Sequence, residues 1–266
     1  MAHNDTFARR VRLDRLYRNG SGGLLVVPLD HPVSGVPIVH SGLDRLVGEL
    51  AGNGADAVVL HKGALRHVSA RRFRGLSLIV HLSAGTGLSG DPDAKVLVCG
   101  VQEALRLGAD AVSVHVNAGA ASEDRQLHDL GAVAGECERW GVPLLAMVYA
   151  RGPAIADGRA PRLVAHAAAI AAELGADLVK TAMPRSAADL EALTAGCPIP
   201  MLAAGGDAAD GPAALAHLAD AMRAGAGGIA AGRLVFNAAD PGAMLRRLAA
   251  IVHDRALTRP LKGIPQ

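Results

Sequence analysis

The chain has 266 residues, half of them hydrophobic and only 2% aromatic, so its core must be built from Ala, Val, Leu and Ile. That length suffices for one large α/β domain or two small ones. A formal net charge of +2 with scattered basic residues speaks against a nucleic-acid or membrane surface, and three separated cysteines with no C-x-x-C speak against a disulfide framework or a zinc site.

The N-terminal stretch "MAHNDTFARRVRLDRL" is basic but has no apolar h-region, so no signal peptide is expected. Arg9–Arg15 reads as a solvated face. Short apolar runs then recur at an even pace: "LLVVPLD" (24–30), "DAVVLHK" (56–62), "SLIVHLS" (77–83), "AVSVHVN" (111–117), "PLLAMVY" (143–149), "LVKTAMP" (178–184), "PMLAAGG" (200–206) and "GIAAGR" (228–233). None approaches the ~20 residues that span a bilayer. Alternation within the runs is weak, as in parallel strands covered on both faces. Between them lie Ala/Leu-rich segments of helical spacing, at Leu43–Leu50, Lys95–Leu107, Ser122–Trp140, Leu163–Leu174, Ala213–Ala224 and Pro241–His253.

A small repeat marks the joints. "NGADAVV", "LGADAVS" and "LGADLVK" each set Gly after a helix, where φ > 0 is cheap, and Asp just before a strand. "AGAGGIA" is a degenerate fourth copy. A structural role suffices for these aspartates. About eight βα units in one chain predict a (β/α)8 barrel, with a doubly wound open sheet as the competitor. The even spacing and the polar residues at most strand C-termini favour the barrel, because an open sheet concentrates them at one switch point. The expected division is a helical lead-in over 1–20, one barrel over 21–258 and a tail over 259–266.

Strand side chains alternate, so parity sorts them. It groups Val26, Pro28 and Asp30; Val58, Leu60 and Lys62; Ser113, His115 and Asn117; Leu145, Met147 and Tyr149; and Leu178, Lys180 and Ala182. Each set runs toward the end of a strand where barrel enzymes keep their chemistry. Taken singly, Asp30 also reads as a turn cap before Pro32, Lys62 as an amine reaching solvent, and His61, His81 and His115 as hydrogen-bonded core histidines. Lys180 differs, because it lies short of the end of its run, where snorkelling is awkward. A buried lysine is costly unless paired or neutral, and a neutral amine attacks a ketone or aldehyde to form a Schiff base.

Two glycine-rich stretches imitate a dinucleotide fingerprint. "GTGLSG" (85–90) follows a strand, but Asp110 precedes its strand instead of ending it. "GAGGIA" (225–230) enters a strand from a helix, the reverse of the required order. The first is better read as a βα loop over the mouth. "AAGGD" (203–207) and "AAGRLVFN" (230–237) follow the seventh and eighth strands, where barrels commonly bind phosphate with backbone N–H groups.

"VVPLDHPVSGVP", "VVLHKGALRHV", "LIVHLSAGT", "GADAVSVHVN", "VPLLAMVYARGP", "GADLVKT", "AAGG" and "GRLVFN" occur in this order. Together they resemble the DhnA-type class I aldolases over essentially the whole chain. Carried over position by position, the resemblance makes Lys180 the Schiff-base lysine, Tyr149 a proton donor and acceptor, and Asp30 the second acid/base. His31, Lys62, His115, Asn117 and Arg151 become substrate-binding residues. Ala204, Gly205, Gly206, Gly232 and Arg233 become a phosphate clamp. The fructose-bisphosphate branch is expected to carry Trp two residues before the tyrosine. Met147 stands there instead and favours the branch that joins a phosphorylated C3 ketone to L-aspartate 4-semialdehyde. The chain departs from the family pattern at Pro32, at "GTGLSG" and at "KTAMPRS". The resemblance implies no metal or other cofactor, since the iminium is the electron sink, and implies a homo-oligomer such as a decamer; the sparse cysteines and the absence of an apolar h-region predict a cytoplasmic protein. A phosphosugar isomerase barrel with no covalent step is the alternative from another class.

Overall fold

The eight apolar runs become eight parallel strands. In the computed structural model, which describes residues 6–19, 22–35, 40–206 and 211–254, they are β1 (Leu24–Pro28), β2 (Ala57–Leu60), β3 (Ser77–His81), β6 (Ala111–Ala118), β7 (Leu144–Ala150), β8 (Leu178–Thr181), β9 (Met201–Ala204) and β10 (Gly228–Ala230). They close in the order β1-β10-β9-β8-β7-β6-β3-β2, which is the predicted (β/α)8 barrel. Two short strands, β4 (Ser83–Ala84) and β5 (Val96–Leu97), pair as an antiparallel hairpin outside it. The helices are α1 (Phe7–Leu16), α2 (His40–Gly52), α3 (Val101–Arg106), α4 (Glu123–Trp140), α5 (Pro161–Glu173), α6 (Ala187–Gly196), α7 (Gly211–Arg223), α8 (Arg233–Phe236) and α9 (Pro241–His253). None among the described residues is long and apolar enough to cross a membrane. The expected tail over 259–266 lies outside the described residues.

The predicted helix over Lys95–Leu107 is shorter than its spacing implies. Val96 and Leu97 pair with Ala84 and Ser83, and extended Gly100 delays the helix to Val101. The β2–β3 connection carries two 3-10 turns, Ala64–His67 and Ala70–Arg74, in place of an α-helix.

Small aliphatic residues make two cores. Leu24, Val26, Ala57, Val59, Ile79, Ala111, Leu145, Leu178, Leu202 and Ala230 fill the barrel, while Val27, Val58, Leu60, Val80, Val112, Ala146 and Val179 pack outward under the helices. This places Ala57 and Val59 inward, so His61 points inward and Lys62 outward. Parity had put Lys62 on the inner face. Both alternating sets of β2 are apolar, so alternation there carries no direction, and the register Val26↔Ala57 decides.

The glycine–aspartate repeat has a clear job. Gly54, Gly108, Gly175 and Gly225 hold φ of +97°, +88°, +91° and +101° behind their helices. The aspartates tie neighbouring strands: Asp56 Oδ2 accepts from Leu25 N (2.7 Å), Asp110 Oδ2 from Leu78 N (3.0 Å) and Asp177 Oδ2 from Leu144 N (2.7 Å). Helix α1 crosses the barrel floor, where Leu13, Leu16 and Tyr17 pack on the inner core. Its polar side chains reach the same aspartates. Arg9 Nε and Nη2 lie 2.8 and 2.5 Å from the two oxygens of Asp177, Arg15 Nη1 lies 3.2 Å from Asp110 Oδ1, and the segment beyond α1 brings Asn19 to Asp56. The expected solvated face therefore fails at Arg9, which is only 7% exposed.

Replacing Asp177 by Ala removes the strand tie and leaves the Arg9 guanidinium buried without its counter-charge. The expected cost is about 3 kcal/mol, read as a lower urea midpoint at unchanged slope. A cost below about 0.5 kcal/mol, the range of an ordinary surface substitution, would show that the floor does not depend on this tie.

Candidate active site

A cavity of about 550 Å³ opens at the C-terminal ends of the strands. The barrel register sets its walls. His115 on β6, Met147 on β7, Lys180 on β8 and Leu202 on β9 are successive partners at one level. Lys180 is 9% exposed and lines the cavity. Tyr149 stands one inward position above Met147, on the strand next to Lys180, with its ring centroid 5.2 Å from that of His115.

Asp30 enters from β1, across the mouth, among imidazoles. Its Oδ2 lies 3.7 Å from His81 Nε2 and its Oδ1 lies 3.7 Å from His31 Nδ1. Neither Asp30 Oδ1 nor His31 Nδ1 has a hydrogen-bond partner among the described residues. Burial pushes the Asp30 carboxyl up, but His81, His31, Lys180 and His61 together outweigh it and hold the group at about 2. Asp30 is therefore a carboxylate at neutral pH. His81 is the reverse case: burial brings it down to about 4 against the pull of Asp30. Its Nδ1 sits 2.8 Å from Ser113 Oγ.

His115 is pushed down to about 3, first by burial and then by His81 and Lys95. Its tautomer follows from its neighbour. Asn117 Nδ2 donates to the Asp93 carbonyl (2.8 Å), so Asn117 Oδ1 faces His115 Nε2 (2.9 Å) and that nitrogen carries the proton.

Most of the residues singled out from the sequence meet here. Asp30, His31, His115, Tyr149, Arg151, Lys180, Ala204, Gly205, Gly206, Gly232 and Arg233 all line the cavity. Asp207, the last residue of "AAGGD", lies outside the described residues. Gly232 lacks a Cβ for a reason: one would come within 2.5 Å of Pro28 O and 2.6 Å of His31 Cε1. Two expected substrate contacts are corrected. Lys62 points away from the barrel axis, pairs with Glu103 (3.1 Å) and lines a separate apolar recess with Leu29, Leu43 and Val98. Asn117 is 1% exposed and spends its amide on His115 and Asp93, behind the cavity wall.

Four further titratable side chains line the cavity without having been assigned to it from the sequence: His61, His81, Lys95 and Arg159. The two histidines had a signal, since each ends an apolar run, but a core histidine gives the same one. Lys95 lay in a segment read as helix. Arg159 comes from the loop after β7, where its Nε donates to Met183 O (3.1 Å).

Among barrel enzymes, covalent capture of a carbonyl by a lysine amine is the mark of class I aldolases, and this chain is one. Residues 24–238 match the DeoC/LacD family of aldolases, and the chain belongs to that family. This bears out the resemblance carried by the motifs. Over 256 residues the chain is 52% identical to 2-amino-4,5-dihydroxy-6-oxo-7-(phosphonooxy)heptanoate synthase of Streptomyces griseus, covering 96% of this chain and 93% of that protein. It is 38% identical to 2-amino-3,7-dideoxy-D-threo-hept-6-ulosonate synthase 1 of Archaeoglobus fulgidus, covering 92% and 91%. Among solved structures it is similar to an archaeal fructose 1,6-bisphosphate aldolase, with TM-score 0.79, 28% identity and coverage of 92% and 99%. A Schiff-base-forming fructose-1,6-bisphosphate aldolase gives TM-score 0.77 at 27% identity, with coverage of 92% and 99%.

The buried imidazoles make stability depend on pH. His81 and His115 titrate at about 4 and about 3 when folded, against 6.5 for a free imidazole. Below pH 6.5 the unfolded chain therefore binds protons that the folded chain refuses. Their contribution is complete above pH 6.5 and is lost as pH falls from there, until the folded rings take up the proton at about 4 for His81 and about 3 for His115. The expected result is a urea midpoint that drops from pH 6.5 to pH 4, with neutral imidazole NMR shifts for both residues at pH 6. Normal titration of either ring near 6.5 would contradict this.

Proposed function

We propose that the chain joins dihydroxyacetone phosphate to L-aspartate 4-semialdehyde through a Schiff base on Lys180. The observation that carries the reading is this lysine, buried in the barrel mouth with the β9 and β10 glycine loops on the wall of the same cavity. The product named in the Streptomyces relative supports the choice of substrates. Its seven carbons hold an amino group at C2, hydroxyls at C4 and C5, a ketone at C6 and a phosphate ester at C7. An aldolase makes the bond between the carbon next to the ketone and the hydroxyl-bearing carbon beyond it, here C5–C4. Opening that bond leaves dihydroxyacetone phosphate from one side and aspartate 4-semialdehyde from the other.

In this reading Lys180 Nζ adds to the donor's ketone carbon, and the carbinolamine expels water to give an iminium. A proton then leaves the adjacent carbon, and its electron pair flows into the iminium to form an enamine. The enamine carbon attacks the acceptor's aldehyde carbon, and the new alkoxide takes a proton. Water adds to the resulting iminium and releases product and amine. Tyr149 suits the proton transfers because it rises beside Lys180 on the adjacent strand. Asp30 suits the base role because it is ionised at neutral pH. Arg233 and the backbone near Gly205, Gly206 and Gly232 take the donor phosphate, while His31 and His115 border the reacting carbons. The same reading makes the enzyme a cytoplasmic homo-oligomer. Its cysteines are thiols, which suits a reducing compartment.

Borohydride added with dihydroxyacetone phosphate is expected to trap an adduct on Lys180 in the native protein and none in Lys180→Met. An undiminished adduct in the variant would remove Lys180 from the mechanism. Tyr149→Phe is expected to lower turnover about 100-fold or more, the usual worth of a general acid–base, while the adduct still forms. Unchanged turnover would exclude the proton role of the phenol.

A further inference from the structure

The donor chemistry accounts for Lys180 and the phosphate for Arg233, but Lys95, Arg151 and Arg159 face the same cavity as well. Lys95 lies between the hairpin strands β4 and β5 and is half-buried. No hydrogen bond or ion pair joins its ammonium to any described residue. Burial and the neighbouring Arg151 push its pKa down, with Asp93, Asp91 and Asp30 pulling the other way.

Its placement is built into the structure. A Cβ at Gly85 would come within 2.2 Å of the Ala94 carbonyl and 2.8 Å of Lys95 Nζ. The first glycine of "GTGLSG" thus lets the Ala94–Lys95 backbone lie close against it, with the lysine side chain alongside. Residues just before it are pinned to β6 and α4: the Asp93 carbonyl accepts from Asn117 Nδ2 (2.8 Å) and Gln126 Nε2 (3.1 Å), and Asp91 Oδ2 accepts from Ser122 Oγ (3.0 Å). Arg151 Nε lies 2.6 Å from Asp93 Oδ1, so its charge is already matched, whereas Lys95 has no such partner among the described residues.

The charges around this spot are of both signs: Lys95 and Arg151 are cationic, and Asp91, Asp93 and Asp30 are anionic. A dianionic phosphate fits such a set poorly, whereas an α-ammonium carboxylate presents both signs to it. The spot lies beside His115 and Tyr149, while the glycine loops that suit the donor phosphate follow β9 and β10. We infer that Lys95, alongside Gly85 and flanked by the Arg151–Asp93 pair, binds the carboxylate of an amino-acid semialdehyde acceptor and selects it over aldehydes lacking that group. This rests on the reaction proposed above and adds the residue that reads the acceptor.

The test compares native protein, Lys95→Met and Lys95→Arg in three measurements: borohydride trapping with dihydroxyacetone phosphate alone, kcat/KM with L-aspartate 4-semialdehyde, and kcat/KM with butanal. In Lys95→Met the adduct is expected to form as before. The preference for the semialdehyde over butanal is expected to fall about 10- to 100-fold, through KM, as for loss of one charge-assisted hydrogen bond. Lys95→Arg should restore much of that preference. An unchanged preference, or equal losses with both aldehydes, would overturn the assignment while leaving the aldolase reaction standing. If D-glyceraldehyde 3-phosphate proves the better acceptor and depends equally on Lys95, the spot reads phosphate and the inference fails. Native protein that traps no ketone adduct would overturn the reaction and the acceptor site together.

Discussion

Asp56, Asp110 and Asp177 stand at the barrel floor, and each accepts a hydrogen bond from a main-chain amide near the start of the preceding barrel strand. Parallel strands whose lower halves are mostly small aliphatic residues on both faces have little side-chain reason to prefer one register over the next. A carboxylate at a fixed place before β2, β6 and β8 supplies that reason. Helix α1 and the segment beyond it then draw the aspartates together through Arg9, Arg15 and Asn19. Register is what makes His115, Met147 and Lys180 level, so the geometry at the mouth depends on carboxylates at the opposite end. Asp56 also shows the cost of such a tie: burial raises its carboxyl to about 6 despite the Leu25 amide and His253.

The mouth solves a related electrostatic problem with different groups. Asp30 is buried and still ionised at neutral pH, its carboxyl held at about 2. His81 and His115 remain neutral for the same reason of burial, so they act as oriented dipoles and not as cations. Each is held by one partner, Ser113 or Asn117, which fixes the ring without adding charge. Charged chemistry is thereby concentrated in Asp30 and Lys180, with Lys95, Arg151 and Arg233 around the rim.

Much of this was legible in the amino-acid order, and the exceptions have specific causes. Lys180, Tyr149, Asp30 and His115 were sorted to the inner face by alternation, since β6, β7 and β8 carry a polar group at one inward position that anchors the phase. In β2 that anchor is missing. Its residues 57–60 are apolar on both faces, and the phase slipped by one, exchanging His61 for Lys62. Asn117 was placed on the right face but given the wrong task, because parity says where a side chain points and not what it meets. Lys95 escaped because helical spacing continues through residues that the structure turns into a hairpin.

Composition, run spacing and the glycine–aspartate joints were enough for a parallel barrel with a buried amine at its catalytic end, because these signals are local and repeat along the chain. The partnerships needed the closed fold. The Asp30–His81–Ser113 chain links β1, β3 and β6, and the ties around Asp93 join the hairpin to β6, α4 and the loop after β7. Such contacts join residues from 32 positions apart upward in some cases, as at His81 and Ser113. No periodicity within one strand or helix records them, because they exist only once closure of the barrel has brought the strand ends around a common axis.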